Sequence, residues 1–347
     1  MIPFQYERAS NPEAAVHSLA AVKGSKLLGG GTNLVDLMKQ NVENPSTLID
    51  ITRLTALAEV TPAEGGHRIG ALVRNSDLAN TPDVLKTYPL LSQAILAGAS
   101  AQLRNLATTG GNLMQRTRCY YFYDPALPAC NKRAPGSGCG AINGFNRVHA
   151  VLGQTDNGPT DAHTCIATNP SDMSVAMAAL DGHVEISGPK GKRTMPVREF
   201  HRLVGKTPQL DTNLQPDELI TAVHLPASAA KFAAHSYYLK ARDRQSYAFA
   251  LVSVAAGLEL EGDRIRSVAL ALGGVAHKPW TSKAAEQALI GKPANEATFK
   301  AAAEAAMQGA KGYEYNAFKI ELAKQVIVRG LTLAAQGTQR STEGAAA

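Results

Sequence analysis

The sequence predicts an α+β fold made of two domains, and three observations support this prediction. The chain has 347 residues, and because domains commonly run to about 100–200 residues, two of them are expected. Apolar residues make up 45% of the chain, which provides for a sizeable core and excludes an intrinsically disordered protein. Short apolar segments typical of strands alternate with amphipathic segments typical of helices, which favours mixed structure over an all-helical or all-β fold.

The first predicted domain spans residues 1–226. Its first helix is expected to begin after Asn11, because an N-cap asparagine followed by Pro12 is typical of a helix start. Residues 26–28 suit a short buried strand that runs into a glycine-rich turn, and 34–39 suit a helix. The other elements predicted from apolar periodicity are strands over 47–51 and 67–72, helices at 76–77, 90–96 and 172–180, and a hairpin of 183–186 with 193–197.

The second predicted domain spans residues 231–336, after a boundary at 226–231. Residues 337–347 are small and polar, so this tail is predicted to be disordered. The elements expected in the second domain are a hairpin of 249–260 with 265–272, followed by helices over 282–290, 295–309 and 316–336.

Composition and motifs exclude several classes of protein. The net charge is +6, but the basic residues are scattered and aromatic residues make up only 5%, so a nucleic-acid partner is not expected. No apolar run approaches the roughly 20 residues of a membrane span, and the N-terminus lacks the pattern of a secretory signal. The sequence has no Gly-x-Ser-x-Gly motif and no paired metal-binding histidines; His149 and His163 are expected to be hydrogen-bonded surface residues.

Two glycine-rich turns are the first candidates for a binding site. Residues 29–34, Gly-Gly-Gly-Thr-Asn-Leu, connect a strand to a helix, and residues 107–113 contain the pair Gly110-Gly111. Either turn alone fits a tight bend as well as a ligand site. Two such turns in one domain suit a pyrophosphate held by backbone N–H groups from two sides. Asp172 suits a helix cap, or a carboxylate that accepts hydroxyl groups of a ribose or ribityl chain.

Residues 116–170 form the second candidate site. This stretch is rich in proline and glycine, lacks periodicity and contains all four cysteines, Cys119, Cys130, Cys139 and Cys165. Loops of this length are uncommon inside a domain unless they are functional or held by something other than a hydrophobic core. The spacing lacks the close pairs of zinc fingers, and it leaves an iron–sulfur cluster, two disulfides or a structural zinc ion open.

Basic residues accompany the four cysteines. They would offset the negative charge of a cluster and favour thiolates. These neighbours are Arg116, Arg118, Lys132, Arg133 and Arg147.

The two turns, together with Ser171-Asp172, resemble the FAD-binding subunit of the xanthine dehydrogenase family of molybdenum hydroxylases. The segment 110–119, with Cys130 and Cys139 after it, resembles the iron–sulfur-bearing branch of that family, the FAD subunits of periplasmic aldehyde oxidoreductases. Residues 272–280 and 316–319 resemble the C-terminal domain of the same subunits. The resemblance covers nearly the whole chain.

The resemblance implies a vanillyl-alcohol-oxidase-like FAD-binding domain, followed by a smaller α+β domain of the CO dehydrogenase flavoprotein type. It implies no catalytic residue in this chain. A 4Fe–4S cluster would be ligated by the four cysteines. FAD would be held by Leu27, Leu28, Gly29, Gly30, Gly31, Thr32, Asn33, Leu34, Thr108, Gly111, Asn112, Asp172, Ile220 and Lys240. Ser246 stands where the family often has an acid, so a nicotinamide acceptor is not expected.

The resemblance also implies partners and a location. A large subunit would hold molybdopterin and oxidise an aldehyde, a small subunit with 2Fe–2S clusters would pass the electrons to the FAD, and an external acceptor would receive them. Such heterotrimers are exported folded with a partner that carries a twin-arginine signal, so a periplasmic location is expected, with the cytoplasm as the alternative. Competing interpretations are the FAD subunit of an aryl-CoA thioester reductase, a stand-alone flavin oxidase and a zinc-stapled interaction protein.

Overall fold

Eleven strands and thirteen helices arise along the residues that the computed structural model describes, which are 1–63 and 65–338. Two 3-10 turns, Thr55–Leu57 and Ala227–Phe232, complete the regular structure. The strands are β1 Gln5–Arg8, β2 Lys26–Leu28, β3 Thr47–Asp50, β4 Val60–Ala63, β5 Gly66–Gly70, β6 His183–Gly188, β7 Gly191–Pro196, β8 Leu219–Pro226, β9 Ser236–Ala241, β10 Val252–Glu261 and β11 Arg264–Gly273. The helices are α1 Pro12–Ala21, α2 Leu34–Lys39, α3 Asn75–Asn80, α4 Pro82–Thr87, α5 Pro89–Ala97, α6 Ala101–Arg104, α7 Thr109–Leu113, α8 Tyr120–Tyr123, α9 Asp172–Ala179, α10 Val197–Phe200, α11 Lys283–Leu289, α12 Glu296–Ala306 and α13 Phe318–Ala335.

The strands form three sheets. In the first, β3 pairs in parallel with β1 on one side and β2 on the other. The second sheet is antiparallel, in the order β4-β5-β8-β6-β7. The third is an antiparallel meander of β9, β10 and β11. The carboxyl end of β2 leads directly into the first glycine-rich turn, which places that turn at the edge of the first sheet.

Helix α9 lies between helix α5 and the third sheet. All eight of its residues are buried, and it packs against α5, β10 and β11. One hydrophobic core therefore runs from the five-stranded sheet through α5 and α9 to Ala255 and Ala271 of the third sheet. A second core fills the space between the outer face of the third sheet and helices α11 to α13. The position of α9 is important because its first residue, Asp172, faces a cleft.

Most elements predicted from the sequence are confirmed. Asn11 caps α1 through a hydrogen bond from Ala14 N, and both predicted hairpins are present. The predictions missed four strands, β1, β4, β8 and β9. The omission of β8 is the most consequential, because this strand is the centre of the five-stranded sheet. It lies directly before the predicted domain boundary at 226–231.

The predictions for the cysteine stretch and for the C-terminal tail can also be compared with the structure. Between 116 and 170 the only helix or strand among the described residues is the four-residue α8, so the expected lack of regular structure is confirmed. Of the tail predicted to be disordered, residues 339–347 lie outside the described residues; Thr338 N donates to Ala234 O at 2.8 Å. Within the described residues, no helix has the length and apolar character needed to cross a membrane.

Candidate functional site

A cleft of about 1090 Å³ opens where the two glycine-rich turns meet the start of α9 and the loop between β9 and β10. The turn at residues 29–34 contributes Gly30, Gly31, Thr32 and Asn33 to its lining. The second turn contributes Gly111 and Asn112, and α9 contributes Asp172. Seven of the fourteen residues assigned to FAD from the resemblance thus line one continuous cleft.

Close backbone packing explains why the first turn needs glycine. A Cβ atom at Gly30 would overlap the carbonyl group of Leu106, which belongs to the segment leading into the second turn. Gly31 has φ +72, a left-handed conformation that side chains disfavour. The two turns therefore lie against each other with their backbones in contact, and only glycine allows this approach.

The second turn is held by its own side chains. Thr108 is the N-cap of α7, and its Oγ1 accepts a hydrogen bond from Gly111 N at 3.2 Å. Thr108 is buried and does not line the cleft. The Asn112 side chain donates to Asn75 Oδ1 at 2.8 Å and accepts from Ser171 Oγ at 2.6 Å, so it ties the turn to the start of α9.

Asp172 forms a buried ion pair rather than a helix cap. The N-cap of α9 is Ser171, whose Oγ accepts from Ser174 N at 2.9 Å, so the cap interpretation of Asp172 is wrong. The Asp172 carboxylate accepts from Lys240 Nζ at 2.8 Å and from Tyr238 OH at 2.7 Å. Burial, and the Asp172 charge beside it, raise the pKa of Tyr238 well above its usual value, so this phenol stays protonated and donates.

Other residues assigned to FAD lie beside the cleft or away from its lining. Lys240 stands behind Asp172, with a side chain only 4% exposed and a second hydrogen bond to Ala97 O. Ile220 is buried in β8 within the core and does not line the cleft. Leu27, Leu28, Gly29 and Leu34 form the end of β2, the start of the turn and the first residue of α2, and none of them is in the cleft lining.

The four cysteines line a second, smaller cavity together. Cys119, Cys130, Cys139 and Cys165 are all buried and all free, so the disulfide interpretation is not met in this structure. His149, expected at the surface, is instead buried beside them, with Nε2 3.1 Å from Cys119 Sγ. Among the residues described, no three or more His, Cys, Asp or Glu side chains form a group that could hold a metal ion. The thiols instead surround a space.

Burial dominates the chemistry of these thiols. It raises the pKa of Cys139 to about 12, and it also raises the pKa values of Cys119 and Cys165. The charges of neighbouring thiolates raise the pKa of Cys119 further, while the ammonium group of Lys132 opposes the rise at Cys165. Without a bound cation, the cavity therefore favours protonated thiols.

The expectation that the basic neighbours favour thiolates holds only for Lys132. The other basic side chains are committed to protein partners: Arg116 to Glu43 and Asp211, Arg118 to Asp36, Arg147 to Asp243 and Arg133 to backbone carbonyl groups. Lys132 itself donates to Asp211 at 2.7 Å and to Pro208 O. Positive charge from any bound metal would thus be the main influence that lowers the thiol pKa values.

Asn131 organises the cysteine stretch, and sequence analysis did not identify it. Its side-chain amide donates to Asp161 O and Thr164 O, each at 2.8 Å, and its Oδ1 accepts from Gly136 N and Gly138 N. One fully buried side chain therefore fixes three separate parts of the stretch around Cys130, Cys139 and Cys165. An asparagine after a cysteine carries no local signal for this role. Tyr238, also missed, could have been found because it is two residues before Lys240 in one strand and so shares its face.

The two cavities share a wall. From residue 117 to residue 121, successive side chains line the two cavities in turn. Thr117, Cys119 and Tyr121 line the cysteine cavity, and Arg118 and Tyr120 line the cleft. The same alternation occurs at 148–149 and at 167–168. A group held by the thiols would therefore be separated from a group in the cleft by a single layer of protein.

Comparisons with known proteins agree with this geometry. Residues 2–228 match the family model described as FAD binding domain in molybdopterin dehydrogenase, and residues 236–334 match the CO dehydrogenase flavoprotein C-terminal domain. The aldehyde oxidoreductase FAD-binding subunit PaoB of Escherichia coli (strain K12) is 50% identical over 330 residues, covering 94% of this chain and 96% of that protein. The glyceraldehyde dehydrogenase medium chain of Sulfolobus acidocaldarius is 27% identical and covers 84% and 83%.

Solved structures share the whole architecture. A chain of carbon monoxide dehydrogenase from Hydrogenophaga pseudoflava aligns with a TM-score of 0.73 and 26% identity, covering 96% of this chain and 98% of that chain. The chain belongs to the family of FAD-binding subunits of the molybdenum hydroxylases. It is an oxidoreductase subunit of the aldehyde oxidoreductase and xanthine dehydrogenase group, the FAD subunit of a multi-subunit enzyme.

Proposed function

We propose that this chain is the FAD- and 4Fe–4S-containing electron-transfer subunit of a heterotrimeric molybdenum aldehyde oxidoreductase. In this proposal it takes electrons from aldehyde oxidation in a molybdopterin-binding large subunit, through the 2Fe–2S clusters of a small subunit, and delivers them to an external acceptor. The observation that carries the proposal is the shared wall: four free, buried thiols surround one cavity, and the opposite side of the same segment lines the flavin cleft.

The residues of the cleft suit FAD. Backbone N–H groups of the first turn suit an anion such as a pyrophosphate, and Gly30 lets that turn lie directly against the second one. In the second turn, the N–H groups of residues 109–112 donate within the protein, so this turn supports the first one. Asp172, fixed by Lys240 and Tyr238, presents a carboxylate to hydroxyl groups of the ligand. FAD supplies the electron-transfer chemistry when bound, and the chain supplies its binding, orientation and exclusion of water.

The four-thiol cavity suits a 4Fe–4S cluster better than the alternatives. A cluster binds four thiolates around a body of several atoms, whereas a zinc ion needs four ligands that converge on one point. The thiols here are free and line a cavity with one another. Iron would also lower the thiol pKa values that burial raises.

The location and assembly are part of the proposal. We expect a periplasmic protein, exported folded together with a partner that carries a twin-arginine signal, and the cytoplasm is the alternative. The 50% identity to a FAD-binding subunit of an aldehyde oxidoreductase supports the assignment of substrate class and partners. Fractionation of cells that express this chain with its partner subunits would decide the location. We expect the chain in the periplasmic fraction, and we expect it to be absent from that fraction when the twin-arginine pathway is disabled.

The first experiment is the visible spectrum of the purified chain before and after dithionite, with iron and zinc analysis. We expect flavin bands on a broad absorbance that bleaches, and about four iron atoms per chain, as four thiolate ligands imply. Cys119→Ser should lose iron and keep FAD, while His163→Ala, in the same stretch, should keep both. A colourless protein containing zinc, or iron retained in Cys119→Ser, would contradict the cluster assignment.

A further inference from the structure

Lys319 is the most unusual charged residue outside the ion pairs already described. It is the second residue of α13 and is fully buried. Its Nζ donates to His149 O at 2.7 Å and to Gly274 O at 2.6 Å. Among the described residues, no carboxylate lies within 4.0 Å of its Nζ, so no side chain in that part of the chain neutralises the charge.

This arrangement is costly for the fold alone. A buried ammonium group without a counter-ion loses its hydration and gains only two carbonyl partners. It also lies in the first turn of an 18-residue helix, where the helix dipole disfavours a cation. Accordingly, burial and, to a smaller extent, the positive charge of Arg147 together lower the pKa of Lys319 to about 7. The cost is offset when negative charge is bound nearby.

The two carbonyl groups that Lys319 binds belong to the two cavities. His149 lines the cysteine cavity and lies 3.1 Å from Cys119 Sγ, whereas Gly274 lines the cleft. Asn316, one turn earlier, donates to the same His149 O and to Ala150 O, each at 3.3 Å. The start of α13 therefore fastens one wall residue of each cavity to the other.

We propose that Lys319 is a positioning residue for both cofactor sites: its ammonium group fixes the spacing between the cysteine cavity and the cleft, and its charge raises the reduction potentials of the groups held in them. A cluster gains one negative charge with each electron, and a flavin gains one when two electrons and a single proton reduce it; a fixed positive charge nearby stabilises each of these reduced forms more than the oxidised form. The part of this inference that concerns the cluster rests on the proposed function, whereas the part that concerns the flavin needs only the cleft.

The test compares four variants with the parent chain, each loaded with FAD and iron, by spectroelectrochemical titration at pH 6, where the ammonium group is protonated. Lys319→Met removes the charge and keeps the side-chain length, and Lys324→Met removes a lysine of the same helix that pairs with Glu304 at 2.7 Å. Asn316→Ala removes a hydrogen bond to His149 O, which Lys319 also binds, and one to Ala150 O, without a change of charge. Should Lys319→Met not fold, Lys319→Gln, which keeps a donor without the charge, replaces it.

Lys319→Met should shift the midpoint potentials of the flavin and the cluster to more negative values, while Lys324→Met and Asn316→Ala leave both unchanged. Lys319→Arg, which keeps the charge, should restore values close to those of the parent chain. Unshifted potentials in Lys319→Met, or an equal shift in Asn316→Ala, would overturn the proposal. If the parent chain holds no iron, the cluster assignment has failed, and the flavin potential still decides the role of Lys319.

Discussion

The two sides of the shared wall are stabilised in different ways. On the cleft side, regular elements bring two backbone turns into contact, and Gly30 and Gly31 are the residues that permit it. On the cysteine side, a long stretch with one short helix is held by buried side chains that bond to backbone groups, above all Asn131. The cleft is therefore formed by the fold itself, whereas the thiol cavity depends on a few polar side chains and on the group that the thiols bind.

Asn131→Ala should show the largest effect and confine it to the cysteine side. Removal of the side chain leaves four backbone groups without their partner, and two of the lost hydrogen bonds, to Thr164 O and from Gly138 N, are buried. Each buried group left unsatisfied costs about 1–3 kcal/mol. We therefore expect loss of about 2–6 kcal/mol of local stability, loss of iron and cleavage by protease within 116–170, with FAD retained. Limited proteolysis and iron analysis measure this.

Asn157→Ala is the matched control for that variant, because Asn157 lies in the same stretch and its side chain is exposed. It should keep its iron and resist the protease. Equal loss of FAD and iron in Asn131→Ala would show that the two sides unfold together, and would contradict their independent stabilisation.

Asp172→Ala should affect the cleft side and leave the thiols in place. The substitution leaves Lys240 buried without its counter-ion, which costs about 3–5 kcal/mol. Replacing both partners, in Asp172→Ala with Lys240→Met, should recover much of that stability because no charge remains buried. Thermal unfolding gives the stability and a flavin titration gives the affinity; an affinity for FAD unchanged in Asp172→Ala would remove this carboxylate from the site.

Gly30→Ala should have a smaller effect on stability but a clear effect on FAD. The added methyl group overlaps the carbonyl of Leu106, and such overpacking costs about 1–3 kcal/mol while it pushes the two turns apart. Gly29→Ala is the control within the same turn, since its methyl group would meet side chains and no backbone: Thr108 Oγ1 at 3.1 Å and Leu72 Cδ2 at 3.8 Å. We expect at least a tenfold loss of FAD affinity in Gly30→Ala and little change in Gly29→Ala.

The same contrast explains how far the sequence could be interpreted. Local signals were sufficient for Asn11 as a cap, for the two hairpins and for the glycine turns, because neighbouring residues determine these features. The central strand β8 was missed because its position depends on pairing with β5 and β6, which are distant in sequence. Asn131 and Lys319 were not assigned roles, because each acts on backbone groups between 5 and 170 residues away. The four cysteines could be grouped, but their common cavity required the fold.

A final prediction concerns a site outside both sides of the wall, at the five-stranded sheet. Although burial alone would raise it, hydrogen bonds from Arg68, Thr221 and His224 lower the pKa of Glu185 to about 2. Because this pKa is lower in the folded chain than in the unfolded chain, the stabilisation is present above about pH 4.5 and is lost as the pH falls towards 2. Glu185→Gln should therefore unfold at a lower temperature than the parent chain at pH 7, by an amount that corresponds to about 2 kcal/mol.

That difference should shrink as the pH falls to 3, while iron and FAD contents at pH 7 stay equal in the two proteins. Glu185 lies on β6 of this sheet, next to β8, and no residue of β6 or β8 lines either cavity. Loss of either cofactor in Glu185→Gln would mean that the stability of the sheet controls both cavities, and that the difference between them is one of degree rather than of independent construction. A difference of the same size at pH 3 would instead assign the role of Glu185 to packing, since stabilisation that comes from the charge paired with Arg68 falls as the pH drops below about 4.5, where the carboxyl group of the unfolded chain takes up a proton.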